Sequence, residues 1–466
     1  MAEQPKNPLV LPEILMRVSI FIPLWVKDNH DPNDPKTYFE PKDLLSCCLV
    51  SRLWRQEMMP ALWHTIDDRT HAHFPEAVLR KYASHIRIIS VMNAFQPPQW
   101  LLGPSEVMVR IDELDVIWSS NLAVRLIRIN PSLQKLVLIG TRGTLNISVM
   151  IEALSTLTSL VELRLSFFTV AGPNLLAVLK NMPKLKILHL THCDGTLADI
   201  RIIETVSLPL THLFLHDKPG STAFPYSRFL RSCPQLEFLS SSIQYGTYDP
   251  GDISVMLREY CPKLRSMTLS TSNKTNLAWI LGMIVGASPE VEEFSLGIKY
   301  LPSKIAHALV GRSSTLVRLA LTIAEHRETD IEQLLTILCG CHKVKVFSCF
   351  VEVYCDPFAD GIFAKEWAVP LLDRFEFQGI QPMPQEVEAV RQQRLPTGST
   401  WTASRTLRRF NYTGDGPFTF SEAIRNAGEA PLFDVRLLQH MVPRVDIQEV
   451  IVNDSRYTRN CNSSSN

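Results

Sequence analysis

The 466-residue chain lacks net charge: 47 Lys and Arg balance 47 Asp and Glu. No long-range field therefore draws it to phosphate backbones, which excludes a strongly basic nucleic-acid binder. It lacks long apolar runs. The longest, Leu277 to Ala287, falls well short of the roughly 20 residues that span a bilayer, so no membrane partner is expected. The first residues, MAEQPKNPLVLPEIL, carry no basic segment leading into an apolar run and do not read as a secretory signal. The ten cysteines include no C-x-x-C pair. Reduced, mostly buried thiols are expected, and with them an intracellular protein of the cytoplasm and/or nucleus. The sequons at Asn146, Asn273 and Asn411 are then chance matches. Phosphate-binding, zinc-protease and nucleophile-elbow motifs are absent, and Asp28 to Asp34 lacks the glycine and glutamate of a calcium loop. The residues therefore point to no enzyme, no cofactor and no metal.

What is present is a globular composition, 45% apolar and 20% charged, in a chain too long for one core. It also holds a repeat. PSLQKLVL at Pro131 returns as TSLVELRL, PKLKILHL, LPLTHLFL, PQLEFLSS, PKLRSMTL, PEVEEFSL, STLVRLAL, HKVKVFSC, PLLDRFEF and RTLRRFNY. The first apolar slot of each copy (Leu133, Leu160, Leu185, Leu210, Leu236, Leu264, Val291, Leu316, Val344, Leu372 and Leu407) recurs at steps of 25 to 28 residues, the last step being 35. Weaker copies stand at Ile86/Ile89/Val91, Ile111/Leu114/Val116 and Ile447/Val450/Val452, and only Ser241 breaks the apolar slots of the eleven main copies.

In L-x-x-L-x-L the last two leucines alternate, so both point to one face of a short strand. Helical spacing follows between strands, as at Ile331, Leu334, Leu335 and Leu338, with Thr329 and Glu332 as a capping box. Proline two residues before the first slot in six copies ends the preceding helix. One strand–helix unit cannot bury its own core, so the copies are expected to stack as a parallel sheet with right-handed crossovers. This pattern resembles leucine-rich repeats. Cys233-Pro-Gln-Leu236 and Cys261-Pro-Lys-Leu264 look like the cysteine-containing, ribonuclease-inhibitor-like kind, although the ladder Asn or Cys after the last leucine is clear only at Cys193.

Residues 7–67 do not follow the repeat. Pro12 opens a helix with Ile14, Leu15, Val18 and Ile22 on one face; Asp43 caps a second helix; Leu53, Trp54, Leu62 and Trp63 complete a small apolar set. Leu11-Pro12-Glu13-Ile14-Leu15, Asp43-Leu44-Leu45, Leu49-Val50-Ser51-Arg52-Leu53-Trp54-Arg55 and Leu62-Trp63 resemble the F-box, and the order F-box then repeats resembles the eukaryotic F-box/leucine-rich-repeat family. The expected fold is α/β: a three-helix F-box-like module (7–67, with a polar loop insertion at 23–42), a right-handed leucine-rich-repeat solenoid (84–454) and a disordered tail (455–466). The resemblance implies a substrate receptor. The module would dock the Skp adaptor of a cullin-RING ubiquitin ligase through Pro12, Ile14, Leu15, Leu49, Val50 and Trp54, while the repeats hold the protein to be ubiquitinated.

On the strands, Ile187, His189, His212, Phe214 and Phe238 read as an outward apolar and imidazole patch, and Arg374 with Arg409 as a basic spot, together the expected substrate surface. Two other readings stay open. One is a non-catalytic interaction scaffold with no ubiquitin role, its N-terminal helices capping the solenoid; the other is an enzyme on a repeat-like α/β fold.

Overall fold

A computed structural model describes residues 12–351, apart from 23–24, 28–36, 40–41, 68–73, 92–110, 118–119, 141–144, 147–149, 170–174, 176–177, 194–206, 217–228, 243–249, 272–275 and 325–327. Beyond 351 it describes the strands at 374–380, 409–415, 449–452 and 455–458. Two compact units meet in sequence at Ile200/Arg201, inside the stretch read from sequence as one solenoid.

The first unit opens with α1 (Pro12–Phe21), α2 (Lys42–Val50) and α3 (Arg52–Leu62), α1 and α2 each packing on α3. Between α1 and α2, β1 (Trp25–Lys27) pairs antiparallel with β2 (Thr37–Phe39). The segment expected as a polar loop thus contains two paired strands, formed by short runs rich in aromatic and β-branched residues. Helix α2 begins one residue before Asp43, which therefore sits in its first turn rather than at the cap.

Strand β3 (Thr65–Asp67) follows α3 and starts a parallel ladder with β4 (Ile88–Val91), β5 (Glu113–Ile117), β6 (Lys135–Ile139), β8 (Glu162–Ser166) and β10 (Ile187–Thr191). The two weak N-terminal copies are strands β4 and β5. β3 went unseen because its sequence, His64-Thr-Ile-Asp67, carries a single apolar residue. Two-residue strands β7 (Leu145–Asn146) and β9 (Phe168–Thr169) form a side ladder. Helices α4 (Glu76–Tyr82), α5 (Ser120–Ile129) and α6 (Ile151–Leu154) lie in the connections.

In the second unit β11 (His212–His216), β12 (Phe238–Ser242), β13 (Ser266–Ser270), β14 (Glu293–Ile298), β15 (Arg318–Ile323), β16 (Val346–Val351), β17 (Arg374–Ile380), β18 (Arg409–Asp415) and β19 (Glu449–Val452) run parallel in chain order. The last weak copy is β19. Strand β20 (Ser455–Thr458) closes this edge antiparallel, so the tail expected to be disordered from 455 begins with four paired residues. Its pattern, Ser-Arg-Tyr-Thr, offers little apolar signal; the pairing is tertiary. Connecting helices are α7 (Pro250–Tyr260), α8 (Leu277–Gly286), α9 (Ser303–Val310) and α10 (Glu328–Gly340). The longest apolar run is α8, a core helix that buries Trp279, Ile280, Met283 and Ile284. Thr329 lies inside α10, so the capping box does not form. Instead the buried Asp330 carboxylate accepts the Leu301 N–H at 3.1 Å, tying α10 to the preceding turn.

The repeat rule holds at side-chain level. None of the first-slot residues from Leu133 to Val344 is more than 1% exposed, and β6, β10 and β11 alternate between half-buried and buried positions. Leu372 and Leu407 lie outside the described residues. Among the described strands, β4, β6, β8, β10 and β12 to β16 are also locked to their predecessors at the entry. Two successive amides share one carbonyl of the previous repeat, as Val161 and Glu162 do on Gln134 O, and Glu292 and Glu293 on Arg265 O.

A second lock joins the helices. The Arg312 guanidinium donates to the carbonyls of Ile284, Val285, Ala287 and Ser288, meeting the orphan acceptors at the end of α8. Replacing Arg312 with Ala should cost about 2–3 kcal/mol in urea unfolding, because several carbonyls lose a charged donor. Leu213, fully buried, should cost about 3 kcal/mol as Leu213→Ala and should unfold its unit as Leu213→Asp, as should Leu188→Asp in the first unit; circular dichroism melts check both.

Candidate partner-binding surfaces

The helical module has a core and a bare face. Leu15, Leu44, Cys48, Met58 and Leu62 are buried between its helices. Ser51 starts α3 from extended backbone (φ −160°, ψ 172°), its Oγ accepting the Trp54 N–H at 3.2 Å. This cap makes the sharp corner between α2 and α3 and sets Leu49 and Val50 at its rim. They are 78% and 63% exposed, and Leu45, one helical turn before Leu49, is also exposed. Met16 and Phe21 on α1 are exposed as well. Of the sequence-derived adaptor residues, Pro12, Leu49 and Val50 are exposed, Ile14 and Trp54 are half-buried, and Leu15 belongs to the core. Leu15 thus supports the surface rather than forming it.

Leu45, Met16 and Phe21 were missed from the sequence. The signal for Leu45 was there: α2 places apolar residues on two faces, Leu44/Cys48 and Leu45/Leu49, and one core needs only one of them.

Ile187, His189, His212, Phe214 and Phe238, expected to face outward, are half-buried, as an open sheet face requires, while the side chains of Arg374 and Arg409 lie outside the described residues. In the second unit three of them meet. The Phe238 ring packs on His212 (centroids 5.7 Å apart, stacked) and on Phe214 (4.9 Å, tilted). Beside them, His216 Nε2 and Ser240 Oγ share a hydrogen bond at 3.3 Å. In the first unit Ile187 and His189 lie on β10, where the Glu162 carboxylate of β8 pairs with Arg164 and lies 4.0 Å from His189 Nε2. The expected patch therefore falls into an aromatic group on the second unit and a charged group on the first. Arg374 and Arg409 are register partners on β17 and β18, with Glu449 next in the row.

The strands of the first unit end in left-handed turns at Phe167 (φ 62°) and His192 (φ 51°), whose rings stack at 5.0 Å. Just beyond, the Cys193 thiol reaches the carbonyls of Leu165 (3.4 Å) and Thr191 (3.6 Å), the ladder contact read from its position.

A buried polar rung precedes the first leucine in several repeats. Asn130 bridges the Ile111 N–H and Leu126 O; the Cys261 thiol approaches Leu230 O and Cys233 O; Ser288 donates to Pro262 O; the Cys341 thiol approaches Leu309 O. Burial pushes the Cys261 and Cys341 thiols from 9.0 up to about 12, and Cys233 well above its ordinary value. These are structural thiols, not nucleophiles. Among the described residues no three His, Cys, Asp or Glu converge on a metal-sized site, and no helix is long and apolar enough to cross a membrane.

Period, parallel register and buried slots coincide in strand after strand. The repeat is leucine-rich. No protein-family profile matches the chain, and no curated protein matches it in sequence. Among solved structures it is similar to the leucine-rich repeat-containing protein LegL7 of Legionella pneumophila (12% identity, 66% of this chain and 99% of that one, TM-score 0.38). It is also similar to an internalin, InlF, of Listeria monocytogenes (13% identity, 75% and 92%, TM-score 0.37). Superpositions this loose add no weight, and the leucine-rich reading stands on the chain's own strands.

A raised thiol pKa has a defined sign. Cys261 and Cys341 favour the folded state fully below about pH 9, where the unfolded thiols are still protonated, and lose that contribution as pH rises toward about 12. The melting temperature should therefore fall above pH 9, less so in Cys261→Ala/Cys341→Ala. In native protein at pH 8, the buried thiols of Cys233, Cys261 and Cys341 should resist a thiol reagent until denaturant is added.

Proposed function

We propose that this protein is a non-catalytic substrate receptor, its N-terminal helices docking a Skp-type adaptor of an SCF-type cullin-RING ubiquitin ligase and its leucine-rich repeats holding the protein to be modified. The observation that carries the reading is the bare apolar rim at the α2–α3 corner. Leu45, Leu49 and Val50 are held in the open by a helix pair whose core is already filled by Leu44, Cys48 and Met58. Large apolar side chains kept at a rigid corner without an internal partner are what a docking helix needs. The residues that carry the F-box resemblance include all three rim residues, Leu45, Leu49 and Val50. Such a receptor supplies no chemistry of its own. It raises the effective concentration of substrate lysines near a charged conjugating enzyme, in a eukaryotic cytoplasm or nucleus.

A second reading has its own observation. α3 runs directly into β3, and Trp63 at the junction stacks on Tyr82 of α4 (4.7 Å) and meets Phe74 edge-on (5.6 Å), so the end of the module packs on the connection that follows β3. A scaffold with a capping module and no ubiquitin role accounts for that contact, though not for the bare rim.

The test is pull-down of a Skp adaptor with the full chain and with Leu49→Asp/Val50→Asp. Both sites are exposed, so melting should be unchanged while adaptor binding falls at least about a hundredfold. Binding equal to the parent's, or none by the parent, leaves the scaffold reading.

A further inference from the structure

We infer that the open sheet face of the second unit, next to the His212–Phe214–Phe238 ring group, binds an uncharged polypeptide segment that sets an apolar side chain against Phe214 and Phe238. This deepens the substrate-binding half of the proposed function and is independent of adaptor docking. Charge is the first argument. At the outward positions of β11 to β16, among the described residues, the only Asp, Glu, Lys or Arg are Glu293 and Arg318, register partners that neutralise each other at 3.2 Å. A charged segment laid on this face would shed water and find no counter-charge, a cost an uncharged segment escapes. The first unit differs: Glu162 and Arg164 put a carboxylate and a guanidinium at the same positions, whereas the second unit's β11 carries only the imidazoles of His212 and His216 there.

Hydrogen bonding is the second argument. Thr268 and Ser295 stand side by side on register-paired strands, with Ser242 and Ser270 in the row beside them. Hydroxyls both donate and accept, so they can serve the N–H and C=O groups of a peptide without selecting for charge. The third argument is the anchor. Phe214 and Phe238 are half-buried and packed against each other at 4.9 Å, which fixes their rings before any partner arrives, so little rotamer freedom is lost on binding. A neutral, hydroxyl-lined floor beside preset rings complements a segment with one large apolar residue flanked by uncharged ones.

The test selects random peptides displayed on phage against the immobilised full chain, with no adaptor present. Enriched sequences should be depleted in Asp, Glu, Lys and Arg and should share an aromatic, Leu or Met position. A synthetic peptide from the pool should bind equally in low and high salt. It should lose about tenfold or more with Phe238→Ala and with Ser295→Asp, a half-buried surface change whose unaltered melting shows the fold intact. Enrichment of charged peptides, binding indifferent to Ser295→Asp and Phe238→Ala, or no enrichment at all would overturn the proposal. Because the adaptor is absent, failure of the ligase reading leaves this result standing, and the reverse holds.

Discussion

Each main-ladder strand from β6 to β16 is apolar on one face, Ser241 on β12 excepted, and nothing within its own repeat can cover that face. Leu163 and Leu165 are dry only because Leu136 and Leu138 stand in register on one side and Leu188 and Leu190 on the other. The same dependence governs the backbone. The paired amides that open β4, β6, β8, β10 and β12 to β16 are satisfied by a single carbonyl of the previous repeat, so a strand out of step would lose its core and its hydrogen bonds together. Period, register and burial are therefore one constraint, and the step of 25 to 28 residues is its trace in the sequence.

That constraint frees the opposite face. Residues between the leucines make no contribution to stacking and can vary, and they do: acidic, basic and imidazole on the first unit, rings and hydroxyls on the second. The helical module obeys a similar division. One stripe of α2 fills the core, while the next, Leu45 and Leu49, is left at the surface by the corner that Ser51 builds. Stability resides in the slots, and what lies between them is free to differ from repeat to repeat.

Polar groups inside the stack follow the same logic. Asn130, Cys261, Ser288 and Cys341 sit where a helix ends and the next strand has not begun, a place that leaves carbonyls unpaired. A small donor there ties one repeat to the one before. Arg312 does this from further away, reaching four carbonyls at the end of α8. The cysteines read as scattered thiols are in part members of this rung, with burial keeping them protonated.

The sequence by itself determined the repeat, its period, the strand slots, the alternation of inward and outward side chains and the separateness of the N-terminal helices. All of these are local: a period of two within a strand and a fixed step between strands need no knowledge of the partner. The tertiary structure decided what depends on neighbours distant in the chain. It put Leu15 in a core, paired β1 with β2 within the 23–42 segment, recruited β3 and β20 to ladders their own residues scarcely announce, and placed Thr329 inside a helix. It also divided the expected patch between two units, joining Phe238 to His212 and Phe214 while setting His189 beside Glu162. Which side chains meet across strands is fixed by register, and register is a property of the stack, not of any one strand.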